Sequence, residues 1–118
     1  MTLGYIREII PARMYELGYG ENYLMRMRTV YVPPLGKTEF NAWNSWLYFP
    51  LEYLDRTFSL KVESDVGYLD MLGGNYRAQE FEHTGKIVFT NPSSRAMQCS
   101  FVEVTPRCTK SNVPKNED

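Results

Sequence analysis

The chain has 118 residues, a length that suits one domain with a single hydrophobic core. Its 13 Lys and Arg against 14 Asp and Glu leave it almost neutral, which argues against free DNA or RNA as the main partner because phosphate binding needs a basic surface. No apolar run reaches the roughly 18 residues that a membrane-spanning helix needs, so no membrane association is expected. No basic stretch precedes an apolar core at the N-terminus, so we expect no secretory signal.

The first 20 residues carry apolar side chains at nearly helical spacing, but Pro11 lies in their middle. Proline lacks a backbone donor and collides with the preceding turn, so a continuous helix is not expected. Glycines end the segment. The sequence therefore predicts an N-terminal arm over residues 1–20, with or without a short helical turn, which lies either on its own domain or along a neighbouring subunit.

From residue 21 the pattern becomes that of β-strands. The long run Tyr23–Val32 places Met25 and Met27 on one side and Arg26 and Arg28 on the other, and prolines end it. Further strands are predicted over residues 37–42, 46–49, 57–63, 68–72, 85–90 and 96–105. The last two form a hairpin around the polar turn that begins at Asn91.

Within the last predicted strand, the apolar positions change parity. Met97, Cys99 and Phe101 alternate with polar residues, whereas Val102 and Val104 follow on the opposite parity. A β-bulge produces such a shift, so we predict one here.

These elements predict an all-β fold, an antiparallel β-sandwich of jelly-roll type with an N-terminal arm and a flexible C-terminal tail. The predicted organisation is an arm over 1–20, the sandwich over 21–106 and the tail over 107–118. The tail is predicted to be flexible because its polar composition cannot bury enough apolar area to offset its ordering entropy.

The sequence carries few groups that could perform catalysis. His83 is the only histidine, so it cannot supply the several imidazoles of a metal-dependent jelly-roll enzyme, and Glu82 would point to the opposite face of its strand. We therefore predict no catalytic residue, no metal site and no cofactor. Cys99 and Cys108 are predicted to be free thiols in a reducing cytoplasm, although a disulfide between them stays open.

Two groups of side chains are candidates for contact with a partner. Trp43, Trp46 and Tyr48 could stack on a sugar, pack in the core or line a subunit interface, where Trp and Tyr are enriched. Arg26 and Arg28, together with Arg7 and Arg13, could meet an acidic partner surface or simply be solvated.

The order of these features resembles that of small accessory proteins encoded with tailed-phage structural genes. The resemblance covers about residues 23–106 and is carried by PPLGK at residue 33, TFSLKVESDVGYLDML and FEHTGKIVFTNPSSRAMQCSFVEVTP. It implies a jelly-roll protein that decorates a capsid or links parts of a virion.

The expected function is therefore that of a non-enzymatic virion protein, a capsid decoration, cement or connector component that stabilises the particle by inter-subunit contacts. Its partners would be major capsid, portal or tail components and further copies of itself, in a virion assembled in the host cytoplasm. The alternative is a carbohydrate-binding β-sandwich module, including one in a phage fibre. The candidate interface residues are Tyr5, Ile6, Ile9, Ile10, Trp43, Trp46 and Tyr48.

Overall fold

The computed structural model describes residues 2–53, 61–64, 67–70 and 82–107. These residues form one helix and one antiparallel sheet of six strands, in the spatial order β1-β6-β2-β5-β3-β4. The elements are α1 (Leu3–Glu16), β1 (Tyr23–Val32), β2 (Lys37–Tyr48), a 3-10 turn (Leu51–Tyr53), β3 (Lys61–Ser64), β4 (Gly67–Asp70), β5 (His83–Thr90) and β6 (Met97–Pro106).

The prediction of a mostly antiparallel β fold is confirmed. The finer expectation of a sandwich is not, because the described strands belong to a single sheet and a sandwich needs two. Several predicted features lie outside the described residues. They are the first part of the strand predicted over 57–63 (residues 57–60), the loop after residue 72, Cys108 and the tail from residue 108 onward.

The strand β2 joins two segments that the sequence analysis treated as separate strands. Residues up to Ala42 pair with β5, and the register then shifts before Leu47 pairs with His83. Asn44 lies within this irregularity and has a positive φ of 55°, a conformation that asparagine tolerates better than most residues. The bulge therefore explains why the alternating pattern is interrupted within a single strand.

The sheet has two differently covered faces, which we call the inner face and the helix face. The inner face carries the larger apolar cluster, in which the ring centroids of Phe89 and Phe101 are 5.9 Å apart. Its buried members are Val30, Val32, Ala42, Leu47, Phe49, Val62, Ile87, Phe89, Met97, Cys99 and Phe101. The helix face is covered by α1, which packs against Tyr48, Val102 and Val104.

The predicted N-terminal arm is instead the regular helix α1, so the expectation that Pro11 would prevent a continuous helix is wrong. The residue before the helix is the N-cap Thr2, whose side chain accepts a hydrogen bond from the Tyr5 N–H over 3.2 Å. After the last helical residue, Glu16, and the C-cap Leu17, Gly18 has a φ of 92°, which suits the left-handed conformation that closes many helices.

Burial on one side of α1 explains why the helix tolerates the proline. Ile6, Ile10 and Met14 follow one another at four-residue spacing and are fully buried against the sheet. Pro11 itself is exposed, and so is Arg7, whose carbonyl loses its helical donor. Water can hydrogen-bond that carbonyl, so the apolar contacts outweigh the cost of the missing bond.

The predicted β-bulge in β6 is also wrong. Its register with β1 runs without a break from Tyr23 opposite Pro106 to Val32 opposite Met97. The parity shift has a different cause, since β6 is buried on both faces from Phe101 to Val104. Met97, Cys99 and Phe101 point to the inner face, whereas Val102 and Val104 share the helix face with α1.

Candidate interaction surface

The strand β1 forms one edge of the sheet and is ten residues long. Within the described part of the chain it forms a ladder with β6 alone. A long edge strand presents a row of backbone N–H and C=O groups to which another strand can bind. We therefore treat the free side of β1 as the candidate site.

The hydrogen bonds of β1 show which backbone groups point to this free side. The Arg107 N–H donates to the Asn22 carbonyl over 2.8 Å, so this pair is of the hydrogen-bonded kind. Such pairs alternate with non-hydrogen-bonded ones along an antiparallel ladder. Tyr23 opposite Pro106 is then non-hydrogen-bonded, which suits a proline without a donor. It follows that Met25, Met27 and Thr29 direct their backbone groups away from β6.

Apolar side chains lie beside these backbone groups on the helix face. Met25 is 41% exposed and Met27 is 43% exposed, although each lies opposite a buried valine of β6. Together with Arg7 of α1, Arg26 and Val102, they line a shallow cavity of about 70 Å³. Met25 and Met27 are the apolar part of the candidate surface.

On the inner face, β1 carries two arginines that share a single carboxylate. Glu103 of β6 lies with its Oε1 3.3 Å from Nη2 of Arg26 and 3.4 Å from Nη1 of Arg28. The Arg28 guanidinium also lies 5.5 Å from the ring centroid of Phe40. Both arginines remain partly exposed, whereas Glu103 is buried. The group therefore keeps one positive charge in excess at the edge of the sheet.

The sequence analysis placed both arginines on one face but missed Glu103. The signal was present, because Glu103 shares the parity of Phe101 and Cys99 on the inner face. The parity of Glu103 does not by itself show that it meets Arg26 and Arg28. That contact depends on the register between β1 and β6, which lie far apart in the sequence.

The three aromatic candidates of β2 lie in different environments. Trp43 is 81% exposed at the bulge. Trp46 is half-buried, with its ring centroid 5.8 Å from that of Tyr19, and Tyr48 is buried under α1. The structure therefore does not bring the three together as a flat platform for a sugar ring.

The four candidate interface residues of α1 also differ in their exposure to solvent. Ile6 and Ile10 are fully buried, and Ile9 packs partly against the same cluster. Tyr5 is exposed on the outer side of α1. Of the seven candidate interface residues, Tyr5 and Trp43 are the two that present most of their side chain to solvent.

The helix is held to the sheet by a polar group as well as by apolar contacts. Both Glu82 carboxylate oxygens lie 3.0 Å from Nε of Arg13, and Oε2 accepts a hydrogen bond from the Tyr48 hydroxyl over 2.8 Å. Burial acts to raise the pKa of Glu82, but the hydrogen bonds from Arg13 and Tyr48 outweigh it and hold the pKa below its usual value. Burial, followed by the hydrogen bond to Glu82, raises the pKa of Tyr48.

His83 and Cys99 are structural groups of the inner face. His83 is fully buried, with Nδ1 hydrogen-bonded to Ser64 Oγ and its ring edge-on to Phe49 at a centroid distance of 5.3 Å. As the sequence analysis expected, Glu82 turns to the opposite face, so the two side chains do not meet. Burial raises the pKa of the Cys99 thiol to about 12.

The described residues include neither a metal-binding cluster nor a membrane-spanning helix. No group of three or more His, Cys, Asp or Glu side chains there is placed to hold a metal ion. No helix in that part of the chain is long and apolar enough to cross a membrane.

Comparison with known proteins does not place the chain in a family. No protein-family model, no curated protein and no solved structure matches it. The functional interpretation consequently depends on the chain's own residues, above all on β1.

Proposed function

We propose that the chain is a non-enzymatic structural component of a phage particle that acts as a decoration, cement or connector protein. The observation that carries this proposal is the edge of β1 that forms no ladder with any other described strand, where the outward backbone groups of Met25 and Met27 lie beside exposed side chains of Met25, Met27 and Tyr31. Exposed apolar side chains beside a free sheet edge favour contact with another protein surface. The sequence resemblance supplies the virion context.

Trp43 adds a second exposed aromatic contact. An indole that is 81% exposed contributes little to the folded chain itself, yet Trp is among the residues that contribute most when an interface buries them. Several copies on a symmetric particle would add avidity to contacts that are weak one at a time.

The same proposal includes the finer fold, a jelly-roll-like sandwich. Its support is the inner face of the described sheet, whose apolar side chains from Val30 to Phe101 are buried. A buried face is what one sheet of a sandwich presents to the other.

The test is whether the protein is present in particles. Particles purified by density gradient from cells that carry the gene should contain the chain in a fixed ratio to the major capsid protein, as measured by quantitative mass spectrometry. Absence from the particles would contradict the proposal. Quenching of tryptophan fluorescence by an oligosaccharide would favour the sugar-binding alternative instead.

A charge placed on the proposed surface provides a sharper test. Met27→Glu should reduce the amount of the chain in particles severalfold, because it replaces an apolar contact with a carboxylate, whose burial in an interface is unfavourable. Tyr15→Glu is the matched control, since Tyr15 is an exposed apolar residue on α1 rather than on β1. Equal incorporation of both variants would remove β1 from the proposed interface.

A further inference from the structure

We propose that the free side of β1 binds an extended segment of a partner protein whose side chains alternate between acidic and apolar, and that this segment joins the sheet as a seventh strand. This inference deepens the proposed function, on which it rests, by naming the chemistry that the partner must present.

The backbone of β1 limits where the segment binds. Met25, Met27 and Thr29 direct their N–H and C=O groups to the free side, as the pairing of Asn22 with Arg107 requires. At one end the Tyr23 N–H donates to the Glu21 carbonyl, and at the other the Tyr31 carbonyl accepts from Thr38 Oγ1 over 2.8 Å. The binding stretch therefore runs from residue 24 to residue 30.

The charge of β1 selects an acidic partner. The strand sequence YLMRMRTVYV contains two arginines and no acidic residue. Glu103 provides one carboxylate for both guanidinium groups, and Arg7 lies beside Met25 and Met27 on the other face. An added strand with carboxylates opposite Arg26 and Arg28 would balance this charge, since opposite charges facing each other across strands are stabilising.

The strand β6 already shows which pattern fits against β1. Val104, Glu103 and Val102 lie directly opposite Met25, Arg26 and Met27. Two valines thus meet the methionines on the helix face, and one glutamate meets an arginine on the inner face. A segment with the same alternation would meet the same side chains from the free side.

A second copy of this chain is the less suitable occupant. Residues directly opposite each other in a two-fold antiparallel pairing lie on the same face of the sheet. Pairing of two β1 strands centred on Arg26, Met27 or Arg28 therefore places an arginine opposite an arginine. Like charges in that position are destabilising.

The direct test is a binding titration with a synthetic peptide. The probe is a fluorescein-labelled, C-terminally amidated peptide with the core Thr-Glu-Val-Glu-Val-Thr, which in antiparallel orientation sets its two glutamates opposite Arg28 and Arg26. Fluorescence anisotropy should show saturable binding that weakens with salt. The same peptide with lysines in place of the glutamates should bind at least about tenfold more weakly, because both cross-strand pairs become repulsive. Equal affinity for the two peptides would overturn the proposal.

A pair of variants separates strand addition from simple apolar contact. Met27→Pro removes an outward N–H without touching the ladder to β6, whereas Met27→Ala removes a similar apolar side chain and keeps the N–H. Binding should be lost in the first and weakened only a fewfold in the second. Should Met27→Pro not fold, hydrogen exchange of the wild-type chain gives the same answer, since the peptide should protect the amides of Met25, Met27 and Thr29. Unchanged exchange at all three would contradict strand addition.

A matched arginine pair tests the charge. Arg28→Gln should weaken binding severalfold, whereas Arg95→Gln makes the same charge change at an exposed residue outside β1 and should leave affinity unchanged. Loss of affinity in both would point to net charge alone and against the proposed site. A chain that is found in particles but binds no peptide would refute this inference while leaving the proposed function in place.

Discussion

Asn91 joins the two loops at one end of the sheet. Its Nδ2 donates to the carbonyls of Val32, Pro33 and Arg95 at 3.3, 3.2 and 2.6 Å, and its Oδ1 accepts from the Ser93 N–H over 2.9 Å. The sequence shows the turn that begins at Asn91. It does not show that the Asn91 side chain reaches the carbonyls of Val32 and Pro33, at the end of β1. The residue thereby combines a local turn with a long-range contact.

Substitution of Asn91 should destabilise the fold in a defined order. Asn91→Ala removes a buried side chain together with its hydrogen bonds to three carbonyls and from the Ser93 N–H, and should lower the free energy of unfolding by about 2 kcal/mol. Asn91→Asp should cost more, about 3 kcal/mol or above, because it places a carboxylate among those carbonyls. Urea unfolding measures both, with the exposed Ser94→Ala as the control. An Asp variant as stable as the Ala variant would contradict the assigned donor role.

The two tryptophans should respond differently to truncation. Trp46→Ala removes a half-buried ring that contacts Tyr19 under α1, so it should lower the free energy of unfolding by about 2 kcal/mol. Trp43→Ala should change it by less than about 0.5 kcal/mol, because the ring is mostly exposed. Thermal melts of the two variants measure the difference. A large loss in the Trp43 variant would mean that this ring supports the fold rather than a partner contact.

At the scale of elements, Glu82 couples α1 to the sheet in a way that depends on pH. Because its folded pKa is lowered, the contribution to stability is complete above the ordinary value of 4.5 and is lost as pH falls through the folded pKa. Glu82→Gln should therefore cost about 1–2 kcal/mol at pH 7, a modest figure because Arg13 is partly exposed.

The pH dependence of the unfolding free energy distinguishes the Glu82–Arg13 pair from an exposed ion pair. The difference in unfolding free energy between wild type and Glu82→Gln should shrink as the pH is lowered below 4.5 and through the folded pKa of Glu82. Glu39→Gln is the matched control, since Glu39 pairs with Lys86 on an exposed part of the sheet and should show almost no difference at any pH. A difference for Glu82→Gln that grows in acid would contradict the lowered pKa.

The elements that the sequence predicts correctly are those with a local pattern. The bounds of β1 follow from its alternating residues and the prolines after it. The predicted hairpin of β5 and β6 is wrong, because the turn at Asn91 connects these strands but β2 lies between them in the sheet and pairs with both. The helix α1 was missed because the cost of Pro11 is local, whereas the burial of Ile6 and Ile10 that offsets it depends on a distant sheet. The pairing of Glu103 with Arg26 and Arg28 was missed for the same reason, since only the strand order brings them together.

For the whole molecule, the cover on each face of the sheet decides which surface is left for a partner. The strand β6 lies between β1 and β2 and is buried on both faces from Phe101 to Val104, so these residues serve the core. The strand β1 lies one position further out, where α1 no longer covers Met25 and Met27. The candidate surface therefore lies where α1 stops covering the sheet. It is on β1, whose outer edge forms no ladder with another described strand.

The burial of Cys99 provides a probe of the unfolding of the whole molecule. In a Cys108→Ser variant, Cys99 is the remaining thiol of the chain. With its pKa raised to about 12, roughly one thiol in ten thousand is ionised at pH 8, and the thiolate is the reactive form. Its reaction with a disulfide reagent should therefore require opening of the inner face.

Since Cys99 belongs to the same cluster as Phe89 and Phe101, that opening amounts to loss of the central core. The rate of labelling should rise with urea in parallel with global unfolding as followed by circular dichroism, and Asn91→Ala should accelerate it in proportion to its loss of stability. Fast labelling that is independent of urea would show that the inner face opens locally at β6.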